Sequence, residues 1–356
     1  MPAVTQRGGQ RRSASLADGH AKGVWHPGYP FAVSHPAVAL ITPALAAANN
    51  GNWQTARRWA QMLSADYEVR LGTTWQRGDE VAMIALHARR SAGAVQAWHQ
   101  AHPARPLVLV LTGTDLYRDI ASDDTAQRSL VLADRLVVLN EHGLLDLPAE
   151  HRAKARVCLQ SSPTRKPLSK TARHLRALMA GHLRDEKSPR TYFDAARHLA
   201  SRHDILLDHI GGALDPALGD EARVLALSHP HYRWLGPLTH ESTRRHIQAA
   251  HLLVHPSRME GGAQVVIEAV TSGTPVIASR IPGNIGLLGD GYGGYFPLGD
   301  DAALAALLER ARDDAAMLPG LTAQCAARAP LFEPGHERRT LCALLSELLS
   351  PPGDTR

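Results

Sequence analysis

Two glutamates, Glu260 and Glu268, stand with seven residues between them in the stretch MEGGAQVVIEAVTSGTPVIAS, Met259 to Ser279. Gly261 and Gly262 follow the first, and Ala263 opens a helical pattern. A helix start presents N–H groups without intrahelical acceptors and a positive dipole end, which together favour a phosphate or diphosphate. The glycines let a backbone approach such a ligand closely. Carboxylates repel phosphates, so they must flank them. Glu260, in the loop, can accept from ligand hydroxyls, and Glu268, in the early helix, can reach a second hydroxyl pair such as a ribose diol. A nucleotide-sugar meets this layout. A capping glutamate and an ordinary helix-surface glutamate are the plain alternative. Against it stand the strand end directly before the loop, the double glycine and the immediate return strand PVIAS.

Other polar clusters follow apolar runs. AGHLRDEKSP holds His182, Arg184 and Lys187; read alone, it is equally a charged surface turn. ALHARRS ends a strand pattern with His87, Arg89 and Arg90, and LVLVLTGTDLYRDI ends one with Thr114, Asp115, Arg118 and Asp119. Asp115 and Asp119 can orient arginines or cap the next helix. NNGNWQTARRWA places Asn50, Gly51 and Asn52 before a helix, as a small-residue ligand loop or a plain capped one.

The elements that must carry these residues alternate. Strand patterns at AVALITP, YEVRLGT, EVAMIALH, PLVLVLTGT, LVVLN and RVCLQS are separated by helical ones. After the Pro/Ser/Lys-rich stretch Ser161 to Lys170, a second series runs through HLRALMAGHL, DILLDHIGG, YRWLGPL, LLVHPS, PVIAS and GYFPLG, with a helix expected near Arg223 to Ser228. Apolar strands alternating with helices predict parallel sheets covered on both faces. We therefore expect an α/β chain of two tandem Rossmann-like domains facing across a cleft. The tail is 1–36, the first domain 37–165, the second 166–330, and a final amphipathic helix within 331–356 packs back toward the first. Ligands in such sheets lie beyond the carboxyl ends of the strands.

Composition excludes several classes. The chain has 356 residues, 44% of them hydrophobic, enough for real cores, and only 5% aromatic, which removes a stacking platform for single-stranded nucleic acid. Its net charge of +5 is spread without a long basic block, so no nucleic-acid partner is expected. No apolar run reaches membrane-spanning length, and no membrane partner is expected. Three dispersed cysteines, Cys158, Cys325 and Cys342, suit a reducing, cytoplasmic setting and no structural zinc. The Gly/Pro/Ser/Arg-rich tail lacks the apolar segment of a secretion signal and reads as disordered or as an alternative start.

EGGAQVVIEAVTSGTPVIAS resembles the E-x7-E signature of family-4-type glycosyltransferases with the GT-B fold. In that family the first glutamate contacts the donor sugar and the second the nucleotide ribose, here Glu260 and Glu268. AGHLRDEKSP is similar to the family's G-R-L-x-x-x-K stretch, with Lys187 at the position of the diphosphate-binding lysine. His182 stands where the family has arginine, and Arg184 is an additional cation. The loop Ile281 to Gly291 also departs, offering Asn284 and Gly286 where many relatives have an acidic residue. Together HARRS, LTGTDLYRDI, RSLVLADRLVVLNEHG, the QS of CLQSS and GHLRDEK resemble the selenosugar synthase branch, in selenoneine biosynthesis, from Ala37 to the C-terminus.

That resemblance implies a reaction of a UDP-sugar, UDP-N-acetylglucosamine, with selenophosphate. Selenium bonds to C1, UDP leaves, and phosphate is then lost to give a selenosugar. No cofactor or metal is required, because Lys187 and Arg184 can neutralise departing UDP. Selenophosphate is an anionic, soft nucleophile and has little need of a general base. Its site needs cations and N–H groups. The implied catalytic residues are Lys187, Arg184, Glu260 and His87. The donor site comprises Gly51, Asn52, His182, Arg184, Lys187, Glu260, Gly261, Gly262, Ala263 and Glu268. The acceptor site comprises Asn50, Gly51, His87, Arg89, Arg90, Thr114, Asp115 and Arg118. Selenophosphate synthase and a downstream selenoneine synthase are the implied functional partners. Transfer to a hydroxyl or thiol acceptor is the alternative, and a catalytically silent nucleotide-sugar binder a third reading, which the three retained residues Glu260, Glu268 and Lys187 oppose.

Overall fold

The computed structural model describes residues 35–45 and 51–350. All of the expected tail but its last two residues lies outside them, as does Asn50.

Two six-stranded parallel sheets form the frame. The first holds β1 (Ala37–Ile41), β2 (Glu68–Gly72), β3 (Ala82–Leu86), β4 (Leu107–Leu111), β5 (Arg135–Val138) and β6 (Ala155–Val157), in spatial order β2-β1-β3-β4-β5-β6. The second holds β7 (Leu175–Ala180), β8 (Ile205–Ile210), β9 (Tyr232–Gly236), β10 (Leu252–His255), β11 (Val276–Ser279) and β12 (Tyr295–Phe296), in order β12-β11-β10-β7-β8-β9.

Both faces of the first sheet are covered, as its unbroken apolar strands require. Val38, Leu40, Ile84, Leu86, Val108 and Val110 pack on one face with Trp59. Ala39, Ile41, Met83, Ala85, Leu107 and Leu109 pack on the other with Trp98. Each tryptophan is fully buried, a gross gain on the order of 4–6 kcal/mol before entropy is counted. The final helix, Pro334–Leu349, sends Leu341, Leu344 and Leu345 into the Trp59 cluster, so it lies against the first sheet's layer.

Several elements differ from expectation. The helix expected near Arg223 begins at Pro216, capped by the Asp215 side chain on the Ala217 N–H. β6 ends at Val157, and 158–161 run on outside the strand. Residues Asp115–Asp119, just past the expected strand, form a π-helical turn. Helices Asp301–Asp313 and Met317–Arg328 follow β12.

Strand order fixes where the chemistry falls. In the first sheet the chain turns from β1 to opposite sides, with β2 on one flank and β3 on the other. In the second it does so at β7, between β8 and β10. Such reversal points leave a crevice at the carboxyl ends of the two strands. The loops after β7 and β10 carry Lys187 and Glu260, and the loop after β3 carries His87.

Candidate functional site

β7 and β10 pair with Met179 beside Val254, so the loops leaving Ala180 and His255 run out side by side. Lys187 sits at the end of a short 3-10 turn, Asp185–Lys187, whose next residue, Ser188, adopts a left-handed φ of 48°. From there Lys187 Nζ reaches Glu260 Oε1 at 2.5 Å. His255, the last residue of β10 and itself buried, brings Nε2 to 3.3 Å from the same oxygen. Burial alone raises the Glu260 carboxyl. The Lys187 ammonium and His255 outweigh it and hold the group well below the usual carboxylate range.

Glu268 lies in the helix Gln264–Val270 and is buried. Its Oε1 meets His240 Nε2 at 2.7 Å, and the His240 side chain is more than half exposed. Arg244, one turn after His240 and fully buried, bonds Ser162 Oγ and, at 3.0 Å, the Pro163 carbonyl. Burial lowers the Arg244 pKa and the Glu268 charge opposes that shift. His182 Nδ1 accepts from the Gly212 N–H at 3.1 Å. Burial, then Arg184 and Lys187, push its pKa down. It is therefore neutral with the proton on Nε2. The Arg184 side chain is partly exposed, 3.9 Å from Glu186.

The first half supplies a second cluster. His87 is buried with a left-handed φ of 74°. Its Nδ1 accepts from the Arg90 N–H at 3.3 Å, so Nε2 donates to Thr114 Oγ1 at 3.1 Å. Burial, with help from Arg90 and Arg89 and against Asp115 and Asp119, lowers its pKa and keeps the imidazole neutral. Asp115 accepts from the N–H groups of Ala88, Thr112 and Gly113, each at 2.9 Å. It thereby ties the β3 loop to the β4 loop. Asp119 accepts from Arg89 Nε at 2.9 Å and Arg118 Nε at 3.1 Å. Asp119 therefore orients arginines, whereas the N–H groups that Asp115 accepts from precede the following turn, so it organises loop backbone and does not cap that turn. Arg89 and Arg118 keep more than a third of their side chains exposed.

The two halves touch at the double glycine. A Cβ on Gly261 would lie 2.4 Å from the Thr112 carbonyl carbon and oxygen, one on Gly262 2.6 Å from the Gln160 side-chain amide, and one on Gly113 2.8 Å from the Gly261 nitrogen. Asn140 Nδ2 donates to the Gly261 carbonyl at 2.8 Å and to Tyr117 Oη at 3.0 Å. In this structure the glycines admit the first half's backbone. Arg118 also reaches Glu186 across the halves at 3.6 Å. Gly51 and Asn52 begin the helix Gly51–Leu63, and Thr55 Oγ1 in its first turns contacts Gln160.

The structure thus brings together Lys187 with Glu260, and His87 with Arg89, Arg90, Thr114, Asp115 and Arg118. It holds Glu268 apart, against His240. His255, His240, Asn140 and Glu186 were not anticipated. His255 and Asn140 each stand where an apolar strand run ends in a polar residue, a position that marks the ligand edge of such a sheet. A cavity of about 480 Å³, lined by Lys170, His251, Pro275 and residues of Met317–Arg328, lies at the opposite, amino edge of β10 and β11. Among the described residues no group of three or more His, Cys, Asp or Glu is arranged to hold a metal ion, and no helix is long and apolar enough to cross a membrane.

Residues 162–329 match the family model of Glycosyl transferases group 1. This segment contains Lys187, Glu260 and Glu268 and leaves the first-half cluster outside. A D-inositol 3-phosphate glycosyltransferase from Streptomyces bingchenggensis is 30% identical over 196 residues, covering 52% of this chain and 41% of the relative. The chain therefore spans less than half of that relative's length. The structure of sucrose-phosphate synthase from Thermosynechococcus elongatus superposes with a TM-score of 0.72 at 17% identity, over 88% of this chain and 99% of that one. Anabaena HepE in complex with UDP and glucose gives 0.70 at 16% identity, over 88% and 100%. At these identities the likeness is one of fold: two parallel-sheet α/β domains in the GT-B arrangement.

Proposed function

We propose that the protein is a glycosyltransferase that takes the sugar of a nucleotide-sugar, UDP-N-acetylglucosamine, and joins its C1 to the selenium of selenophosphate. UDP leaves as the C1–O bond breaks. Water then cleaves the P–Se bond, giving phosphate and a selenosugar that a downstream selenoneine synthase would consume. The observation that carries the nucleotide-sugar part is the Lys187–Glu260 pair at the crevice between β7 and β10, inside the segment that matches the group 1 model. Lys187 supplies a cation for the diphosphate, with Arg184 as a partly exposed second. Glu260 supplies an acceptor for donor-sugar hydroxyls, and Glu268 one for the ribose. Charge neutralised by these side chains leaves the reaction as proposed without need of a metal.

The acceptor part rests on the first-half cluster. Arg89 and Arg118, aligned by Asp119 and partly exposed, offer two guanidinium groups to a phosphate-like dianion. A neutral His87 bonded to Thr114 suits an acceptor that arrives already ionised. The alternative, a hydroxyl or thiol acceptor, draws support from the Streptomyces relative, a D-inositol 3-phosphate glycosyltransferase whose name carries a phosphorylated polyol. Mass spectrometry of UDP-N-acetylglucosamine with and without selenophosphate made in situ separates the two. A selenium isotope pattern on an N-acetylhexosamine mass with equimolar UDP is expected. UDP-sugar binding without a selenium product overturns the acceptor assignment and directs the search to hydroxyls and thiols.

A further inference from the structure

Glu337 lies on the final helix and is completely buried. Its carboxylate accepts five hydrogen bonds: from Arg58 Nε at 2.9 Å and Nη2 at 3.1 Å, from Trp59 Nε1 at 2.6 Å, and from the Ser161 N–H at 2.8 Å and Oγ at 2.5 Å. Three separate segments converge on it: the final helix, the helix Gly51–Leu63 and the crossover between the sheets. A charge in such a place is costly, and an apolar side chain would fill the volume without that cost. Its retention asks for a role beyond packing.

The network does not stop at the first half. Arg58 Nη1 donates to Gln264 Oε1 at 3.3 Å, and Gln264 Nε2 donates to the Ser161 carbonyl at 3.1 Å. Gln264 is the first residue of the helix that carries Glu268. Beside it the Gln160 amide lies 2.5 Å from Thr55 Oγ1 and 2.8 Å from the Gly262 carbonyl, and the orientation satisfying both puts its nitrogen on Gly262. Gly262 and Gln264 thus lie within the stretch between Glu260 and Glu268. Both are held by groups that belong to the first half or the crossover.

We infer that Glu337, Arg58 and Gln264 form a positioning relay that sets the Glu260–Glu268 turn against the first-half cluster. The inference rests on the nucleotide-sugar reading above and deepens it. Nucleotide binding uses groups of the second half, Lys187 and Glu268, and does not need the relay. Transfer needs Arg89 and Arg118 at reacting distance from a sugar held by Glu260, and therefore does. These three are positioning residues, since none has a role in touching the reacting atoms.

The test uses the full chain with Gln264→Ala, which cuts both bonds from the turn and leaves the Glu337–Arg58 pair intact. Gln264→Glu keeps an oxygen for Arg58. Three measurements are made: UDP affinity by calorimetry, hydrogen exchange of the peptide spanning 259–268, and UDP release from UDP-N-acetylglucosamine with selenophosphate. For Gln264→Ala we expect UDP affinity within about twofold of wild type, exchange of that peptide about tenfold faster, and turnover lower by roughly 10- to 100-fold. Gln264→Glu recovers most of both effects. Unchanged exchange at 259–268, or UDP affinity falling by the same factor as turnover, overturns the relay. Failure of the wild-type chain to bind UDP overturns the nucleotide-sugar reading and the relay with it. Intact UDP binding with wild-type exchange in Gln264→Ala overturns the relay alone.

Discussion

Lys187→Met keeps most of the side-chain stem and removes the charge 2.5 Å from the Glu260 carboxylate. Glu260 is buried, with His255 at 3.3 Å as the remaining partner. Removing one member of a buried pair costs about 3–5 kcal/mol, because the other charge stays without compensation. The Lys187 side chain retains some exposure and His255 can take part of the load, which sets the expected loss at the low end, about 3 kcal/mol. For a domain of this size that lowers Tm by about 6–12 °C. The pH dependence has a definite sign. In the wild type the folded pKa of Glu260 is depressed. Its contribution is therefore complete above the unfolded carboxylate value of about 4.3 and is lost only as pH falls through the depressed one. In the variant, burial is no longer outweighed by Lys187, so the folded pKa rises and the charged form destabilises at neutral pH. The Tm gap between the two proteins should be widest at pH 7.5 and should shrink toward pH 4.5. Melting curves by circular dichroism at both pH values measure it. A gap under about 2 °C at neutral pH, or one that does not change with pH, would refute the account of Glu260 as a carboxylate held ionised by Lys187.

Four further outcomes follow from the same geometry. Gly261→Ala puts a methyl 2.4 Å from the Thr112 carbonyl, so the halves must part, and turnover in a UDP-release assay should fall about 100-fold. Asp115→Asn can keep its oxygen on the Thr112 and Gly113 N–H groups but turns an amide NH2 toward the Ala88 N–H, which should cost about 1–3 kcal/mol in urea denaturation. Arg118→Ala should raise KM for the anionic acceptor and leave UDP affinity alone; an unchanged KM and kcat in steady-state assays would make Arg118 structural. Excess EDTA should leave the rate unchanged, and full inactivation in the presence of chelator would contradict cation-only neutralisation by Lys187 and Arg184.

Fold class was legible because apolar strand runs such as AVALI and LVLVL have no polar face, and only a sheet covered on both sides accommodates that. The loop of the second-half candidate site was legible because Glu260, Gly261 and Gly262 lie between an apolar strand run and a helix start. What the sequence hid was pairing across the chain. Lys187 and Glu260 are 73 residues apart and meet only because β7 and β10 are neighbours, a matter of strand order that no local pattern encodes. Glu337 is the clearer case. In ERRTLCALLSELL it shares the helix face of Leu341, Leu344 and Leu345. That position marks it for burial, yet Arg58, Trp59 and Ser161, which make burial tolerable, are scattered over the chain. The helix expected near Arg223 starts earlier, at Pro216, and that start has a local signal: Asp215 followed by proline is a capping residue and a first-turn residue in succession.

The pairing of Lys187 with Glu260 also says something about the order of events in the proposed reaction. Without a donor, a carboxylate buried at the crevice needs a nearby cation, and Lys187 is within reach from the adjacent loop. A diphosphate brings more negative charge than one carboxylate and competes for the same ammonium. As Lys187 turns to the diphosphate, Glu260 loses its main counter-charge and keeps His255 on one oxygen. Its free lone pairs then face the crevice, where sugar hydroxyls are the donors at hand. In the reaction proposed above, nucleotide binding and sugar binding would thus be coupled through one lysine: a free sugar would meet a Glu260 already occupied, and the diphosphate that accompanies the sugar would free it. Weak binding of free N-acetylglucosamine in the absence of UDP, and stronger binding once UDP is present, is the thermodynamic form of that coupling.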